Sequence, residues 1–275
     1  MKTIYDLVSW NKSLASALDK SYSTDGIAEI LRGLEQLIRA SSGLITLLSS
    51  STKPHTICHR LLANENPHYQ VENYNNGAFL LDPFYLKASN EKASGVFLLD
   101  QLIPDGFEES EYYNHFYKQL GYVDEVNVIV QLNESDSITM SLVRQRNENK
   151  FSKEDINQLE ILYPTLKVIL CQWYKKSDHS VSSDIETQID NALANFGNSI
   201  LTPKESEILQ LILHGHAIKS IAQKLKNSIE TIRHHRKNIY HKLDISSQSE
   251  LFYLFIASVK AMPDSSTSDP MTYLS

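Results

Sequence analysis

The spacing of apolar residues in the first 175 positions predicts helices around a sheet. Apolar residues at helical spacing indicate two opening helices, at residues 4–18 and 25–40. A final helix is predicted to start after Ser152, to carry an apolar side as far as Trp173 and to kink at Pro164. Between them, strands are predicted at residues 43–48, 55–62, 95–99, 122–132 and 137–144.

The last two of these strands show the clearest period-2 pattern. Val126, Val128 and Val130 recur at every second position, and mostly polar residues lie between them. We therefore expect one face of the sheet to be buried. The order of elements predicts an α/β/α sandwich around a five-stranded antiparallel sheet, similar to GAF and PAS domains.

Residues 201–251 follow a different pattern, that of four short helices. Thr202 can cap the first helix, Pro203 suits its first position, and Glu205 completes a capping box. Gly215 is expected to end this helix. A second short helix has Ile218, Ile221, Ala222 and Leu225 on one side, and a polar turn at residues 226–228 separates it from the third. Two helices joined by so short a turn form a helix-turn-helix unit, whose second helix is free to enter the major groove of DNA.

The third helix, predicted at residues 229–243, has an apolar and a basic side. Ile232, Ile239 and Leu243 form the stripe that packs inward. The opposite stripe, which would meet base edges, consists of Glu230, Arg233, His234, Lys237 and His241. Arg233 and Lys237 can donate to guanine O6 and N7. Lys219, Lys226, Ser228 and Thr231 lie near the helix entrance and are expected to contact phosphates.

A basic stripe alone is more often a solvated helix face than a binding surface. Here the capped helix, the turn and the basic helix occur together, which favours DNA binding. The charge distribution agrees. Residues 201–260 hold nine Lys/Arg and five Asp/Glu, which gives this segment a net charge of +4. The whole chain has a net charge of −7, so the other residues together carry −11. The positive charge is thus concentrated in the predicted DNA-binding module.

The C-terminal module resembles the LuxR-type helix-turn-helix domain of bacterial transcription regulators. The matching residues are Leu201-Thr202, Glu205, Leu209, Gly215, Ile221-Ala222, Leu225, the Ser228-x-x-Thr231-Ile232-Arg233-x-His235 run, Ile239, Lys242-Leu243 and Leu251. The resemblance implies base contacts from Arg233, His234 and Lys237, with His235 also in the DNA-binding set. It implies a homodimer that binds double-stranded DNA, a fourth helix near residues 247–259 that serves dimerisation, and RNA polymerase as a candidate partner. Leu251, Phe252, Leu254, Phe255 and Val259 fit such a helix, and they would equally serve a core.

The aromatic-rich stretch at residues 68–86 is the candidate ligand site. Asp82, between Leu81 and Pro83, could be buried and orient a polar ligand group such as an amide N–H. Alternatively it caps the helix that begins at Pro83, with Phe79, Phe84 and Tyr85 in the core. The two roles are compatible.

The N-terminal region also resembles the autoinducer-binding domain of quorum-sensing regulators. Asp82-Pro83, Gly121-Tyr122 and Phe151-Ser152-x-Glu154 match that family. Where the family carries aromatic residues around an acyl-homoserine lactone, this chain has Tyr69, Asn73 and Phe97. These departures favour another small molecule, or a ligand-free domain that acts through dimerisation or protein contacts. The expected ligand-binding residues are Tyr69, Asn73, Phe79, Asp82, Phe84 and Phe97.

Other classes of function find little support in the sequence. There is no phosphate-binding glycine loop, no nucleophile elbow and no metal-spaced group of His and Cys, so we expect neither an enzyme nor a cofactor. His214-x-His216 is interpreted as a solvated turn. Cys58 and Cys171 are expected to be reduced thiols. No apolar run is long enough for a membrane span, and a cytoplasmic location is expected.

The predicted organisation is therefore an α+β protein of two domains. A sensor-like domain at residues 1–175 is followed by a polar linker at 176–198. The DNA-binding domain covers residues 199–260, with the helix-turn-helix at about 217–236. A short helix is predicted at residues 185–196, and residues 261–275 are expected to be disordered. The predicted function is a dimeric, sequence-specific transcription regulator whose N-terminal domain senses a small molecule, possessing either a lactone site or a site for another signal.

Overall fold

The computed structural model describes residues 4–20, 23–50, 52–63, 65–177, 192–263 and 268–274, and only the backbone of residues 4–6 and 68–69. Most of the predicted linker and of the helix predicted at residues 185–196 therefore lies outside the described residues. Within that helix, residues 192–195 are described and are helical.

Among the described residues, the N-terminal region contains five α-helices and five strands. The helices are α1 (Ile4–Asp19), α2 (Thr24–Ile38), α3 (Pro83–Asn90), the single turn α4 (Glu111–Tyr113) and α5 (Lys153–Lys176). The strands are β1 (Ser42–Ser49), β2 (His55–Arg60), β3 (Gly95–Leu98), β4 (Tyr122–Gln131) and β5 (Asp136–Gln145). A π-helix, Asn114–Lys118, continues α4. The helix α5 runs through Pro164 as one element.

The strands form one antiparallel sheet in the order β2-β1-β5-β4-β3. One face packs on α2 and α5, where Val128 and Met140 meet Leu31, Leu34 and Leu170. Buried apolar area of this kind is the main stabilising contribution to such a layer. The α/β/α sandwich and its five-stranded antiparallel sheet are confirmed.

The prediction that one face of the sheet is buried is wrong at its centre, where both faces are buried. Glu125, Asn127 and Ile129 of β4 are as inaccessible as the valines between them. Thr139 and Ser141 of β5 are buried in the same way. The cause is a second layer, formed by α3, the 3₁₀ turn Ala78–Leu81 and the helical residues 111–118, which covers the polar face. Polar side chains are thereby enclosed and must find partners within the protein.

The C-terminal region folds as the four predicted helices. They are α6 (Pro203–Leu213), α7 (Ile218–Lys224), α8 (Ile229–Lys242) and α9 (Gln248–Ala261). Thr202 caps α6, and the predicted capping box with Glu205 is present. Gly215, just after α6, has φ +82°, a conformation that favours glycine. The all-α, four-helix architecture predicted for this region is confirmed.

The prediction of disorder after residue 261 is wrong for residues 268–274. These residues form a 3₁₀ turn, Pro270–Tyr273, that packs beside α9. Asp269 is buried and accepts from the backbone N–H of Gly197 at 2.9 Å and of Ser199 at 2.8 Å. Composition predicted disorder because the stretch is rich in Ser, Asp and Pro. A single buried carboxylate that accepts several hydrogen bonds outweighs that tendency.

Candidate DNA-binding face and ligand pocket

Helix α8 separates its apolar and polar residues as the sequence predicted. Ile232 and Ile239 are fully buried and Leu243 is 5% exposed, so this side anchors α8 on α6 and α7. The residues of the predicted outer stripe, which we call the outer face, are all exposed: Glu230, Arg233, His234, Lys237 and His241. The outer face is therefore open to solvent, and the helix that carries it could enter the major groove of a DNA duplex.

The outer face keeps its donors available. Arg233 forms an ion pair with Glu230 at 3.2 Å, its one ion pair within the described part of the chain, and both side chains are more than half exposed. A surface pair of this kind is worth little free energy and exchanges readily for another acceptor. His234 lies 3.3 Å from the amide nitrogen of Asn238.

The predicted phosphate contacts lie at the entrance to α8. Ser228 caps the helix by accepting from Thr231 N at 3.0 Å. Lys226 has φ +52° and is exposed in the turn, and Lys219 is exposed on α7. The N-terminus of a helix with cations beside it is a favourable place for phosphate oxygens.

The structure separates His235 from the other predicted DNA-binding residues. It is half-buried, and its Nδ1 is inaccessible and without a hydrogen-bond partner among the described residues. The resemblance placed His235 in the matching run, but at its position on α8 the side chain faces the module rather than the open side. Arg236 is also half-buried and lies 5.9 Å from the ring centre of Tyr240.

An ion pair joins the first helix of the module to α8. Glu205, which completes the capping box of α6, accepts from Lys242 at 2.6 Å and from Thr202 N at 2.9 Å. Burial acts to raise the pKa of Glu205, but these hydrogen bonds outweigh it and lower the pKa to about 2. The pair fixes the end of α8 relative to α6 and so helps to hold the outer face in place.

A cavity of about 60 Å³ lies against the polar face of the sheet. Its wall is formed by β4 and β5 on one side and by aromatic residues of the covering layer on the other. The residues that give it its chemistry are Gln70, Tyr74, Asp82, Tyr117, Glu125 and Asn127. We call this cavity the pocket.

Two carboxyl groups of the pocket are held by tyrosines. Asp82 accepts from Tyr74 OH at 2.6 Å and caps α3 through Phe84 N at 2.9 Å. Glu125 accepts from Tyr117 OH at 2.6 Å and from Ser141 Oγ at 2.5 Å. Burial raises the pKa of Asp82 to about 6 and that of Glu125 to about 7, because the ionised forms lose hydration.

Of the five predicted ligand-binding residues whose side chains the structure describes, only Asp82 lies in the pocket wall. Phe79 and Phe84 are core residues, as the alternative interpretation held. Asn73 faces α9 and accepts from Lys260 at 3.1 Å, while Phe97 lies beneath the ammonium group of Lys87 at 5.5 Å. The side chain of Tyr69 lies outside the described part of the chain.

Sequence reasoning missed Glu125 and the tyrosines of the pocket. The sequence did contain a signal for these polar pocket residues, because Glu125 and Asn127 alternate with the valines of β4. Those polar residues were interpreted as solvent-facing because a half-exposed strand gives the same pattern. Tyr74 comes from a segment remote in sequence, and only folding brings it to the same cavity as Tyr117 and Glu125.

The helical residues 111–118 contact both the pocket and the DNA-binding region. Tyr112, Phe116 and Tyr117 line the pocket from this segment. From its other side, the His115 ring stacks on Phe252 of α9 at 5.1 Å between centroids, and His115 Nε2 lies 2.6 Å from Tyr253 OH. One short segment therefore contacts the candidate ligand site and the helix that ends the DNA-binding module.

A second contact between the two regions involves their backbones. Ala217 N, at the start of α7, donates to Asp105 O at 3.1 Å. The neighbouring Gly106 has φ +84°, and a Cβ atom there would lie 2.4 Å from Ala217 Cβ. His214 and His216, interpreted as a solvated turn, are half-buried near this contact, and burial lowers the pKa of His216 to about 4.

Two further properties concern the described residues only. No cluster of three or more His, Cys, Asp or Glu in that part of the chain is arranged to hold a metal ion. None of the helices described there has the length and hydrophobicity of a membrane-spanning segment.

Burial raises the pKa of the Cys58 thiol to about 12, which disfavours the reactive thiolate.

Comparison with known proteins agrees with the division into two regions. Residues 199–255 match the family model described as bacterial regulatory proteins, luxR family. The chain is 27% identical over 190 residues to an HTH-type transcriptional regulator in the exeN 3′ region of Aeromonas salmonicida, an alignment that covers 66% of this chain and 96% of that protein.

Two more proteins extend the comparison. The monoamine regulon transcriptional regulator of Klebsiella aerogenes is 24% identical over 238 residues, covering 86% of this chain and 93% of that protein. The crystal structure of the VqsR LBD domain from Pseudomonas aeruginosa superposes with a TM-score of 0.53 at 24% identity, covering 62% of this chain and 98% of that one. This likeness concerns the fold of the N-terminal region.

Proposed function

We propose that this chain is a transcription regulator with a LuxR-type DNA-binding domain at residues 199–255, and that a small molecule in the pocket controls how this domain binds an operator. The observation that carries the DNA-binding part is the open outer face of α8, whose back is anchored by Ile232 and Ile239. Its exposed Arg and Lys can donate to base edges, and the cations at the helix entrance can set the register on the phosphates.

The path of control is the helical segment at residues 111–118. Any ligand that moves Tyr112, Phe116 or Tyr117 also moves His115, which contacts α9. A ligand shifts an equilibrium only if it binds one arrangement better than another. The pocket lies on one side of this short segment and the contact with α9 lies on the other. A ligand that favours one position of the segment would therefore favour one arrangement of the two regions.

We also propose that two copies bind the operator together. Helix-turn-helix dimers read two half-sites about one helical turn of DNA apart, so the position of each module decides the fit. Phe255 and Val259 of α9 are buried within the chain, whereas Tyr253 is 57% exposed. Dimerisation through α9 therefore uses its exposed side, or follows release of α9 from the N-terminal region.

The DNA-binding part is tested by comparing two variants on a selected operator and on random DNA. Arg233→Ala is expected to weaken only the specific complex, by roughly 1–3 kcal/mol, and to relax one base position. Lys226→Ala is expected to weaken both complexes and to reduce the salt slope by about 1. The measurement is mobility shift over a range of salt concentrations.

Lys153→Ala serves as the matched control, because Lys153 is an exposed lysine at the start of α5, in the other region. It should change neither complex. If Arg233→Ala and Lys226→Ala affect specific and random DNA alike, the assignment of the outer face is wrong.

A further inference from the structure

We propose that the ligand of the pocket is a small organic cation that carries a primary or secondary amine. This inference rests on the proposal that the pocket is a ligand site, and it adds the chemical class of the ligand. It follows from the charges, the hydrogen-bonding atoms and the size of the pocket.

The first argument is the charge of the wall. Among the 17 described residues that line the pocket, Asp82 and Glu125 are acidic and none is Lys, Arg or His. A third carboxylate, Glu65, lies behind the wall and accepts from Tyr122 OH at 2.7 Å. An anionic ligand would be placed beside carboxyl groups with no cation in the wall to compensate.

The second argument is the hydrogen-bonding capacity that remains. Gln70 Oε1 and Asn127 Oδ1 are buried, belong to residues of the wall, and have no partner among the described residues. Their amide nitrogens each donate one hydrogen bond, to Tyr122 OH at 2.8 Å and to Glu125 Oε1 at 3.4 Å, whereas their amide oxygens accept none within the described part of the chain. The unsatisfied atoms are acceptors, so the ligand that completes the site must donate.

The third argument is the aromatic part of the wall. The hydroxyl groups of Tyr74 and Tyr117 already donate to Asp82 and Glu125. A ligand in the pocket would therefore meet the rings of these two tyrosines and those of Tyr112 and Phe116. Aromatic rings next to carboxylates attract an ammonium group both by cation–π interaction and by charge.

The raised pKa values of the two carboxyl groups agree with a pocket wall that has no cation among its described residues. Burial raises the pKa of Asp82 to about 6 and of Glu125 to about 7. The titratable groups that face them are Tyr74, Tyr112, Tyr117 and Asp124, and each is neutral or acidic. A bound cation would be the only positive charge in the pocket and would stabilise both carboxylates in the ionised form.

The size of the pocket limits the ligand. A volume of about 60 Å³ exceeds the roughly 10–15 Å³ that one buried water needs but is below the ~150 Å³ of a cavity that binds benzene. The pocket as it stands holds an amine head group and a few more atoms. A long acyl chain would have to displace the aromatic wall.

The test uses the full-length protein and matched sets of small compounds. Primary amines from methylamine to butylamine are compared with the alcohol and the carboxylic acid of the same skeleton, together with octanoyl-homoserine lactone. The readouts are the midpoint of thermal unfolding and titration calorimetry. We expect at least one amine to raise the midpoint and to bind at least tenfold more tightly than its alcohol, and the acids to have no effect.

Glu125→Gln is expected to weaken binding of that amine at least tenfold, whereas Glu160→Gln, at an exposed position of α5, should leave it unchanged. The comparison among compounds needs no variant, so it decides the matter even if Glu125→Gln does not fold. The proposal is wrong if no amine binds better than its alcohol, or if the lactone alone binds. In either case specific DNA binding that Arg233→Ala weakens would still support the DNA-binding part of the proposed function.

Discussion

At the scale of single residues, the most consequential groups are the buried carboxyls of the pocket. Glu125 sits on a central strand and is held by Tyr117 and Ser141. An acid at such a position costs stability when it ionises, because burial removes its hydration and the hydrogen bonds compensate only in part. A core evolved for stability alone would place an apolar residue there, so the acid supports the proposed binding role of the pocket.

Stability of the ligand-free protein should therefore fall as pH rises. The folded-state pKa of Glu125, about 7, lies above its ordinary value of 4.5. The folded protein binds the proton more tightly, so this contribution is fully present below pH 4.5 and is lost as pH rises through 7. We expect Glu125→Gln to abolish roughly 1–3 kcal/mol of the decrease measured by urea unfolding between pH 5 and 8.

The exposed Glu160→Gln is the control for this prediction and should follow the wild-type profile. If Glu125→Gln shows the same pH dependence as the wild type, Glu125 is ionised at little cost and the explanation given for it is incorrect.

At the scale of elements, the position of α8 depends on a few contacts at its two ends. Ser228 caps its start, and Lys242 at its end reaches Glu205 of α6 at 2.6 Å. The side chain of Glu205 is 6% exposed and that of Lys242 35%, so the carboxylate is shielded from water, in contrast to both partners of the neighbouring Lys204–Glu207 pair. A buried carboxylate that accepts several hydrogen bonds is costly to remove, because its donors lose a charged acceptor.

Glu205→Gln is expected to destabilise the DNA-binding region by about 1–3 kcal/mol at neutral pH. Glu207→Gln removes an exposed carboxylate from the same helix and should change stability by less than about 0.5 kcal/mol. Because the pKa of Glu205 is lowered to about 2, its contribution is present above pH 4.5 and is lost as pH falls through 2. Chemical unfolding of both variants at pH 7 and pH 3 measures the difference, and equal effects would contradict the role given to the pair.

At the scale of the whole molecule, the two regions share one hydrophobic cluster. It continues from Phe79 and Tyr117 beside the sheet to Phe252 and Val259 of α9. An interface that joins two cores makes their unfolding cooperative. Control by a ligand requires that this interface can be weakened, and His115 lies between the pocket and the interface.

His115→Ala should loosen the interface without altering the core of either region. It removes the ring stacked on Phe252 and the hydrogen-bond partner of Tyr253, contacts worth about 1–2 kcal/mol together. We expect amide hydrogen exchange in α9 to become about 5–30-fold faster while exchange in β4 is unchanged. His59→Ala, at an exposed position of β2, is the control. Unchanged exchange in α9 would show that His115 does not hold the two regions together.

The sequence by itself determined most of the elements and the division of α8 into a buried and an exposed side. Helix α8 could be predicted because its inner and outer residues are set by one local period and its cap by one residue, Ser228. The strands of the sheet could be predicted for the same reason, since alternation is a local property. The net charge of each region could also be calculated from the sequence, because it is a sum over residues.

Only the tertiary structure decided where the pocket lies and what it contains. Glu125 lies on a strand whose polar positions resembled a solvent-facing row, and its burial depends on a covering layer from elsewhere in the chain. Asn73, expected in the site, instead faces α9. The carboxylate of Asp269 holds the C-terminal residues that composition predicted to be disordered. Each of these outcomes depends on contacts between residues distant in sequence, and a local pattern contains no information about such contacts.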